Sequence, residues 1–387
     1  MTERKKLLVI NFGGIGDEVL FLPTLASIRK KFPDWRITLL LEPRSRSIIQ
    51  LTNLIDDTLT FDIKKRPLLG SDLVDLLMLL RSGSFDVVLS SGSSPMVASL
   101  LFLSGIPARI GYDSGLPARL FLTAPVPLNR NQYAGNMYRD LATGLGIESP
   151  PNVVALPQIE VPQSERESME ELIASVRVRT TDGGEARAKR KRIVIHPGTS
   201  KLALEKGLNK TWPAKNWIAL IEKLAESKEF EVILAGGPDD KEAVEAILSG
   251  VKPGTALLST FGKTKSLLAL AALIDVSSLL VCVDSAPMHI AIALGKPIVA
   301  LFGPTDEAKL VPKDKRFMVL RKESSQDTLS AQSGAPSPSS LSSPSRKASY
   351  LYPGAPAVQL QPDSVYQCVL DQLRGKQVQD SFQEAPA

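Results

Sequence analysis

Cysteine and histidine are scarce, two of each in 387 residues. Two cysteines make no disulfide framework, and a reducing compartment, the cytoplasm, is the expected setting. Cys282 lies in the apolar run Leu279-Leu280-Val281-Cys282-Val283 and reads as a core residue. No uninterrupted apolar run reaches the roughly 18 residues of a membrane span. The best stretch, residues 267–283, is broken by Asp275 and by serines, so membrane contact, if any, is peripheral. The first residues do not read as a secretory leader: Asp17 and Glu18 stand where a cleavage region belongs. No Asp-x-Asp pair lies near the polar turns, and the adjacent Asp239 and Asp240 read as loop. A metal ion is not expected. The net charge of +5 has a local source: residues 177–192 carry seven basic and two acidic residues, the whole excess. The remaining chain gives no footprint for a nucleic acid. The basic stretch could meet anionic lipid.

What is present is alternation. Lys6 to Asn11, Arg36 to Glu42, Phe85 to Ser90 and Ala108 to Tyr112 read as strands between helical patterns. The pattern restarts at Arg192 to His196 and continues through Glu231 to Ala235, Ser278 to Val283 and Ile298 to Phe302. Apolar strands alternating with helices predict α/β domains with parallel sheets covered on both faces. The expected organisation is a first domain over 1–163, a flexible basic interdomain segment over 164–192, and a second domain over 193–322. A Ser/Pro-rich disordered segment follows at 323–349, then a helix over 363–376.

Gly13, Gly14 and Gly16 follow the first strand, and Asp17 follows them. A dinucleotide fingerprint needs a third glycine where Val19 stands, although Glu42 could serve as its acid. A P-loop needs Gly-Lys-Ser/Thr, which is absent. The glycines permit positive φ and close backbone approach. Asp17 then reads either as a plain helix N-cap or as a carboxylate kept ionised by the helix start, available as a general base.

The second half carries two dense motifs. In the first, His196-Pro197-Gly198-Thr199 turns after a strand, and Lys210 precedes a helix beginning near Pro213. Free N–H groups, Thr199 and Lys210 suit a phosphate, although Lys210 alone reads as a solvated lysine. In the second, Asp284 ends a buried strand, Ser285 is placed to cap the next helix, and His289 lies one turn in. Gly303-Pro304-Thr305 turns after the following strand, on the same rim. Strand ends of this kind are where open α/β sheets bind ligands.

G-x-x-G-D with its helix and Pro23, then H-P-G-T, K-x-W-P, D-S-x-P-x-H and F-G-P-T-D, resemble in order and spacing glycosyltransferase family 9, the ADP-heptose:lipopolysaccharide heptosyltransferases and their relatives. The resemblance spans residues 6–312. It implies a GT-B fold, two Rossmann-like doubly wound parallel-sheet domains facing across a cleft. It also implies a C-terminal helix that crosses back to the first domain. It implies an inverting, metal-independent transfer of a sugar, heptose above all, from ADP-heptose to a saccharide or lipopolysaccharide core, with no cofactor. By the same likeness Asp17 is the base, Thr199 and Lys210 contact the diphosphate, and Asp284, Ser285, Ala286 and His289 form the motif beside donor sugar and phosphate. Ala286 stands where the family often has glycine, adding a methyl where backbone approaches phosphate. Gly198 and Gly303 are loop formers. The expected partners are the donor and a glycolipid acceptor, with no nucleic acid, for a monomer placed in the cytoplasm or on the membrane's inner face. A sugar-nucleotide epimerase or hydrolase, or a non-catalytic binder, fits the same scaffold.

Overall fold

The computed structural model describes residues 4–65, 69–177, 190–205, 207–321 and 358–375. The basic stretch at 178–189 and the Ser/Pro tract at 323–349 lie outside the described residues. Two compact units emerge, one built on Met1–Glu165 with the short segments Ser266–Ala271 and Ile292–Gly295, the other on Arg166–Lys265, Ala272–Ala291 and the described residues from Lys296 onward.

The first unit holds a six-stranded parallel sheet of β1 (Lys6–Asn11), β2 (Arg36–Leu41), β3 (Asp57–Thr60), β4 (Val87–Ser90), β5 (Ala108–Tyr112) and β6 (Ala124–Val126), in the order β3-β2-β1-β4-β5-β6. β1 is Leu-Leu-Val-Ile through its middle and is buried on both faces, as a central parallel strand must be. One face is covered by α2 (Gly70–Ser82), α3 (Pro95–Leu103) and α4 (Leu116–Phe121), which set Leu76, Leu80, Ala98, Leu101 and Ala118 against Leu8, Ile10 and Val88. α1 (Ile15–Lys31) and α5 (Ala134–Asp140) pack on each other, with Phe21 edge-on to Tyr138.

The second unit repeats the plan with β7 (Lys191–His196), β8 (Phe230–Leu234), β9 (Leu257–Ser259), β10 (Leu279–Val283), β11 (Ile298–Phe302) and β12 (Phe317–Arg321), in the order β12-β11-β10-β7-β8-β9. The strand order of each sheet therefore reverses once, between β1 and β4 and between β7 and β10. Those switch points are where doubly wound sheets open a ligand crevice beyond the strand ends. The GT-B class expected from the sequence is the class observed.

Two expectations are corrected. Part of the stretch taken as a flexible interdomain segment is a helix, α6 (Gln163–Arg177). Met169, Ile173 and Val176 recur at helical spacing and are buried, which a solvated linker would not allow. The C-terminal helix, Pro362–Arg374, belongs to the second unit. Val358, Val365 and Val369 join the core of the second, among Trp212, Trp217, Leu220 and Val299. Leu360 O accepts from Trp212 Nε1 at 3.0 Å, which fixes the helix entry. A short amphipathic helix carries one apolar stripe and settles on the nearest apolar surface. Trimming that stripe tests the placement: Val369→Ala should destabilise the second unit by about 1–3 kcal/mol, read from its urea midpoint. An unchanged midpoint would mean the helix is not part of that core.

Candidate functional site

In the first unit the site grows from the turn after β1. Gly14 is the N-cap of α1, so Asp17 is the third helical residue rather than the cap. Its carboxylate accepts from the Gly14 N–H at 2.8 Å through Oδ2 and from the Tyr138 hydroxyl at 3.2 Å through Oδ1. Both oxygens are thereby oriented. The glycines do not act through positive φ: none of Gly13, Gly14, Gly16, Gly198 and Gly303 has one. Gly13 is required by close approach, since a Cβ there would overlap the Asp17 side chain. Gly16 lies in the first turn of α1.

Beneath Asp17 is a carboxyl group that the sequence reading passed over. Glu18 is buried, and its Oε2 accepts from Asn11 Nδ2 at 3.0 Å. Asn11 Oδ1 accepts in turn from Ser91 Oγ at 2.6 Å, joining the ends of β1 and β4 at the switch point. Oε1 of Glu18 has no hydrogen bond of good geometry, and the Gly13 backbone gives only weak compensation. Burial, with the neighbouring Asp17 charge, pushes the Glu18 carboxyl well above the usual carboxylate range, against the opposing effects of Asn11 and Lys64. Glu42, weighed as a ribose ligand, is instead held at the end of β2 by Arg44 at 3.4 Å and Lys64 at 4.0 Å.

In the second unit Asp284 follows β10 and is almost wholly buried. Its Oδ2 accepts from Lys210 Nζ at 2.6 Å and from Thr305 Oγ1 at 2.7 Å. Burial opposes its charge. The Lys210 ammonium outweighs that, with help from His289 and Thr305, and holds the carboxyl below its ordinary range. Lys210 is therefore not a solvated lysine. Thr305 is pinned by Arg321 at the end of β12, whose guanidinium donates to the carbonyls of Gly303 and Thr305 and to Glu307. His289 is buried one turn into the helix Ala286–Ala293. Ser285 precedes that helix, and its hydroxyl donates to the Val283 carbonyl at 3.3 Å.

Thr199 is buried in the turn after β7, and the pairing of His196 with Cys282 sets that turn beside Asp284. Asp240, read from sequence as loop, is buried against this turn. It accepts from the Gly237 N–H at 2.7 Å and lies 3.5 Å from His196 Nε2. A Cβ on Gly198 would strike its carboxylate, so Gly198 too is required by close approach. Burial pushes the His196 imidazole below its ordinary value despite the Asp240 charge, which keeps the ring neutral at pH 7. Lys210, Thr199 and the helix N-terminus at Ala286 set donors of positive character at one switch point. That is a place for an anionic ligand.

A family model described as Glycosyltransferase family 9 (heptosyltransferase) matches residues 74–336. Lipopolysaccharide heptosyltransferase 3 of Escherichia coli is 29% identical over 308 residues, covering 75% of this chain and 81% of that one. The crystal structure of a glycosyl transferase family 9 protein from Veillonella parvula is similar with a TM-score of 0.70 at 23% identity, over 96% of this chain and 97% of that one. An E. coli heptosyltransferase solved with ADP-2-deoxy-2-fluoro heptose is similar with a TM-score of 0.59 at 21% identity, over 82% and 93%.

The two buried acids predict opposite pH behaviour. Folded Glu18 keeps a proton that the unfolded chain gives up above about pH 4.5. Its contribution to stability is therefore complete below that pH and is lost as pH rises through the folded pKa. Glu18→Gln has no proton to lose. Its Tm should match the parent near about pH 4 and exceed it increasingly toward about pH 8. A pH-independent difference would show that the Glu18 carboxyl titrates alike in the folded and unfolded chains. Asp284, shifted below 3.8, stabilises at neutral pH and loses that contribution as pH falls below about 4.

Proposed function

The chain belongs to glycosyltransferase family 9, and from that premise we propose that it moves heptose from ADP-heptose to a lipopolysaccharide-type saccharide, inverting the anomeric centre, with Asp17 as general base. The observation that carries this reading is the Lys210–Asp284–Thr305 cluster at the β7/β10 switch point. It is a preformed, charge-compensated seat for a diphosphate. The similar E. coli heptosyltransferase solved with an ADP-heptose analogue supports the choice of donor. The similar lipopolysaccharide heptosyltransferase supports the choice of acceptor.

The two units divide the work: the second holds the donor and the first supplies the base. The acceptor hydroxyl oxygen attacks C1 of the sugar as its proton passes to the Asp17 carboxylate. The bond from C1 to the phosphate oxygen breaks on the opposite face, and ADP carries the electron pair away. One displacement inverts C1, with a sugar hydroxyl in the place water takes in inverting glycosidases. Negative charge grows on the leaving diphosphate. Lys210, Thr199 and the backbone N–H groups at the helix Ala286–Ala293 meet that charge without calling on a metal ion. Tyr138 and Gly14 hold the Asp17 carboxylate in one orientation, so little is spent on arranging the base. The chain works as a monomer at the inner face of the membrane, where a glycolipid acceptor is met.

A positioned general base supplies about 10² to 10⁴ in rate. Asp17→Asn should thus lower kcat at least about a hundredfold while ADP affinity by calorimetry stays near the parent's. Turnover close to the parent's would remove Asp17 from the role. Lys210→Ala should weaken ADP about ten- to a hundredfold, the 1.5–3 kcal/mol of a hydrogen bond to a charged group. Equal affinity would place the diphosphate elsewhere. The transferred sugar's anomeric configuration, read by NMR, tests inversion.

A further inference from the structure

The first unit carries an apolar surface that its core does not use. α3 and α4 bury Ala98, Leu101 and Ala118 against the sheet. Their outer faces should then be polar, as for helices that cover a sheet in water. They are not. Met96, Phe102, Leu103, Leu116 and Leu120 are 48–69% exposed. α3, PMVASLLFL, has no charged residue at all. Leu116 and Leu120 stand one turn apart on α4, and Phe102 stacks on Phe121 at 4.8 Å, joining the two helices into one face. Val74 and Met78 continue it on α2, whose Arg81 donates to the Leu103 carbonyl at 2.8 Å. Of the 14 exposed large apolar side chains among the described residues, eight lie between Leu69 and Leu120, so the exposure is gathered rather than scattered.

The charge along α3, α4 and the strands beside them is mostly positive, while α2 adds Asp72, paired with Lys65 at 3.0 Å, and Asp75. From Val87 to Arg130 the chain has three arginines and one acid, Asp113. Asp113 is already paired with Arg119 at 2.9 Å. Arg109 lies 5.6 Å from the Phe102 ring and donates to the carbonyls of Phe121, Ile106 and Pro107. Arg130 donates to Ser93 Oγ. Arg81, Arg109 and Arg130 thus bond neutral oxygens and keep their full positive charge at the rim. Apolar side chains in the middle, an aromatic pair and an arginine edge match the boundary between acyl chains and anionic headgroups. Among the described residues no helix is long and apolar enough to cross a membrane. Contact from the side is the mode left to such a face.

We propose that the outer faces of α3 and α4 dock the chain on an anionic phospholipid bilayer. This deepens the reading of a glycolipid acceptor, because it names the surface that brings the first unit to a lipid-anchored substrate. The test is co-sedimentation of the full chain with extruded vesicles, one set of phosphatidylglycerol and phosphatidylethanolamine, the other of phosphatidylcholine alone. The chain should pellet with the anionic set and be released by about 0.5 M NaCl. The doubly substituted L116S/L120S should cut the bound fraction at least about fivefold with Tm unchanged, because these side chains are exposed. The single Phe102→Ser should cut it as much, with a lower Tm because its stacking on Phe121 is lost. A parent that stays in the supernatant with both vesicle sets would overturn the proposal. So would variants that pellet like the parent. Light scattering closes the other route: a parental dimer that these substitutions turn into monomer would mean that a second copy covers the face. Transfer to a delipidated saccharide should be the same in variants and parent. Loss of vesicle binding with transfer intact upholds the surface, whereas absence of transfer in every form, with vesicle binding kept by the parent and lost by the variants, faults only the assignment of activity.

Discussion

A buried carboxylate at the end of a central strand needs a cation, and the second unit is organised around that need. Asp284 cannot keep its charge in the interior without Lys210. Lys210 comes from the loop before the helix Ala214–Glu226, and Thr305 comes from the turn after β11. Both donate to the same oxygen, so three chain segments meet at one atom. Arg321 then holds the Thr305 turn from the end of β12. Removing Lys210 leaves the Asp284 charge buried alone, which typically costs about 3–5 kcal/mol. The protein's own groups therefore hold the Lys210 ammonium in position, which is what the proposed diphosphate seat requires.

The two units use one local device for different ends. In each, a glycine caps a helical turn and the aspartate three residues on returns its carboxylate to the glycine N–H: Gly14 with Asp17, and Gly237 with Asp240. In each, a second glycine makes room for that carboxylate, Gly13 in the first unit and Gly198 in the second. In the first unit the acid and its glycine share one loop. In the second they come from the loops after adjacent strands, so Asp240 locks the Pro197-Gly198-Thr199 turn from outside. The first arrangement presents a carboxylate, and the second steadies a backbone turn. The difference follows from which strand supplies the acid, since each sheet has the same order.

The eight inner strands, the doubly wound plan and the rim of polar turns were legible because central parallel strands are short apolar runs and the turns between them are punctuated by glycine, proline and threonine, whereas the four edge strands β3, β6, β9 and β12 were not. Asp17, Lys210 and Asp284 were legible as residues worth attention. What joined them was not. Tyr138 reaches Asp17 across 121 positions and Lys210 reaches Asp284 across 74, distances over which local pattern carries no information. Of the two causes offered for the glycines, close approach holds at Gly13 and Gly198 and positive φ does not, and the sequence could not say which for a similar reason. Positive φ is a property of one residue, whereas the close approach that requires Gly13 and Gly198 depends on where another side chain lies. α6 was masked by composition: charged residues surround a three-residue apolar stripe, and the stripe decides the fold of the segment.

Glu18 and Asp284 show the same limit in chemical form. Both are acids, both end up buried beside a switch point, and burial alone would neutralise both. Asp284 meets an ammonium at 2.6 Å and stays charged. Glu18 meets an amide at 3.0 Å, burial outweighs the opposing effects of Asn11 and Lys64, and the carboxyl holds its proton more tightly than in the unfolded chain. The outcome suits each place. A charged Asp284 holds a lysine where phosphate is expected. An uncharged Glu18 spares Asp17 a second negative charge one residue away, while its hydrogen bond to Asn11 ties the glycine turn to the strand ends. The proton on Glu18 thus lets the turn pack a carboxyl beneath the proposed base without opposing the base's own charge.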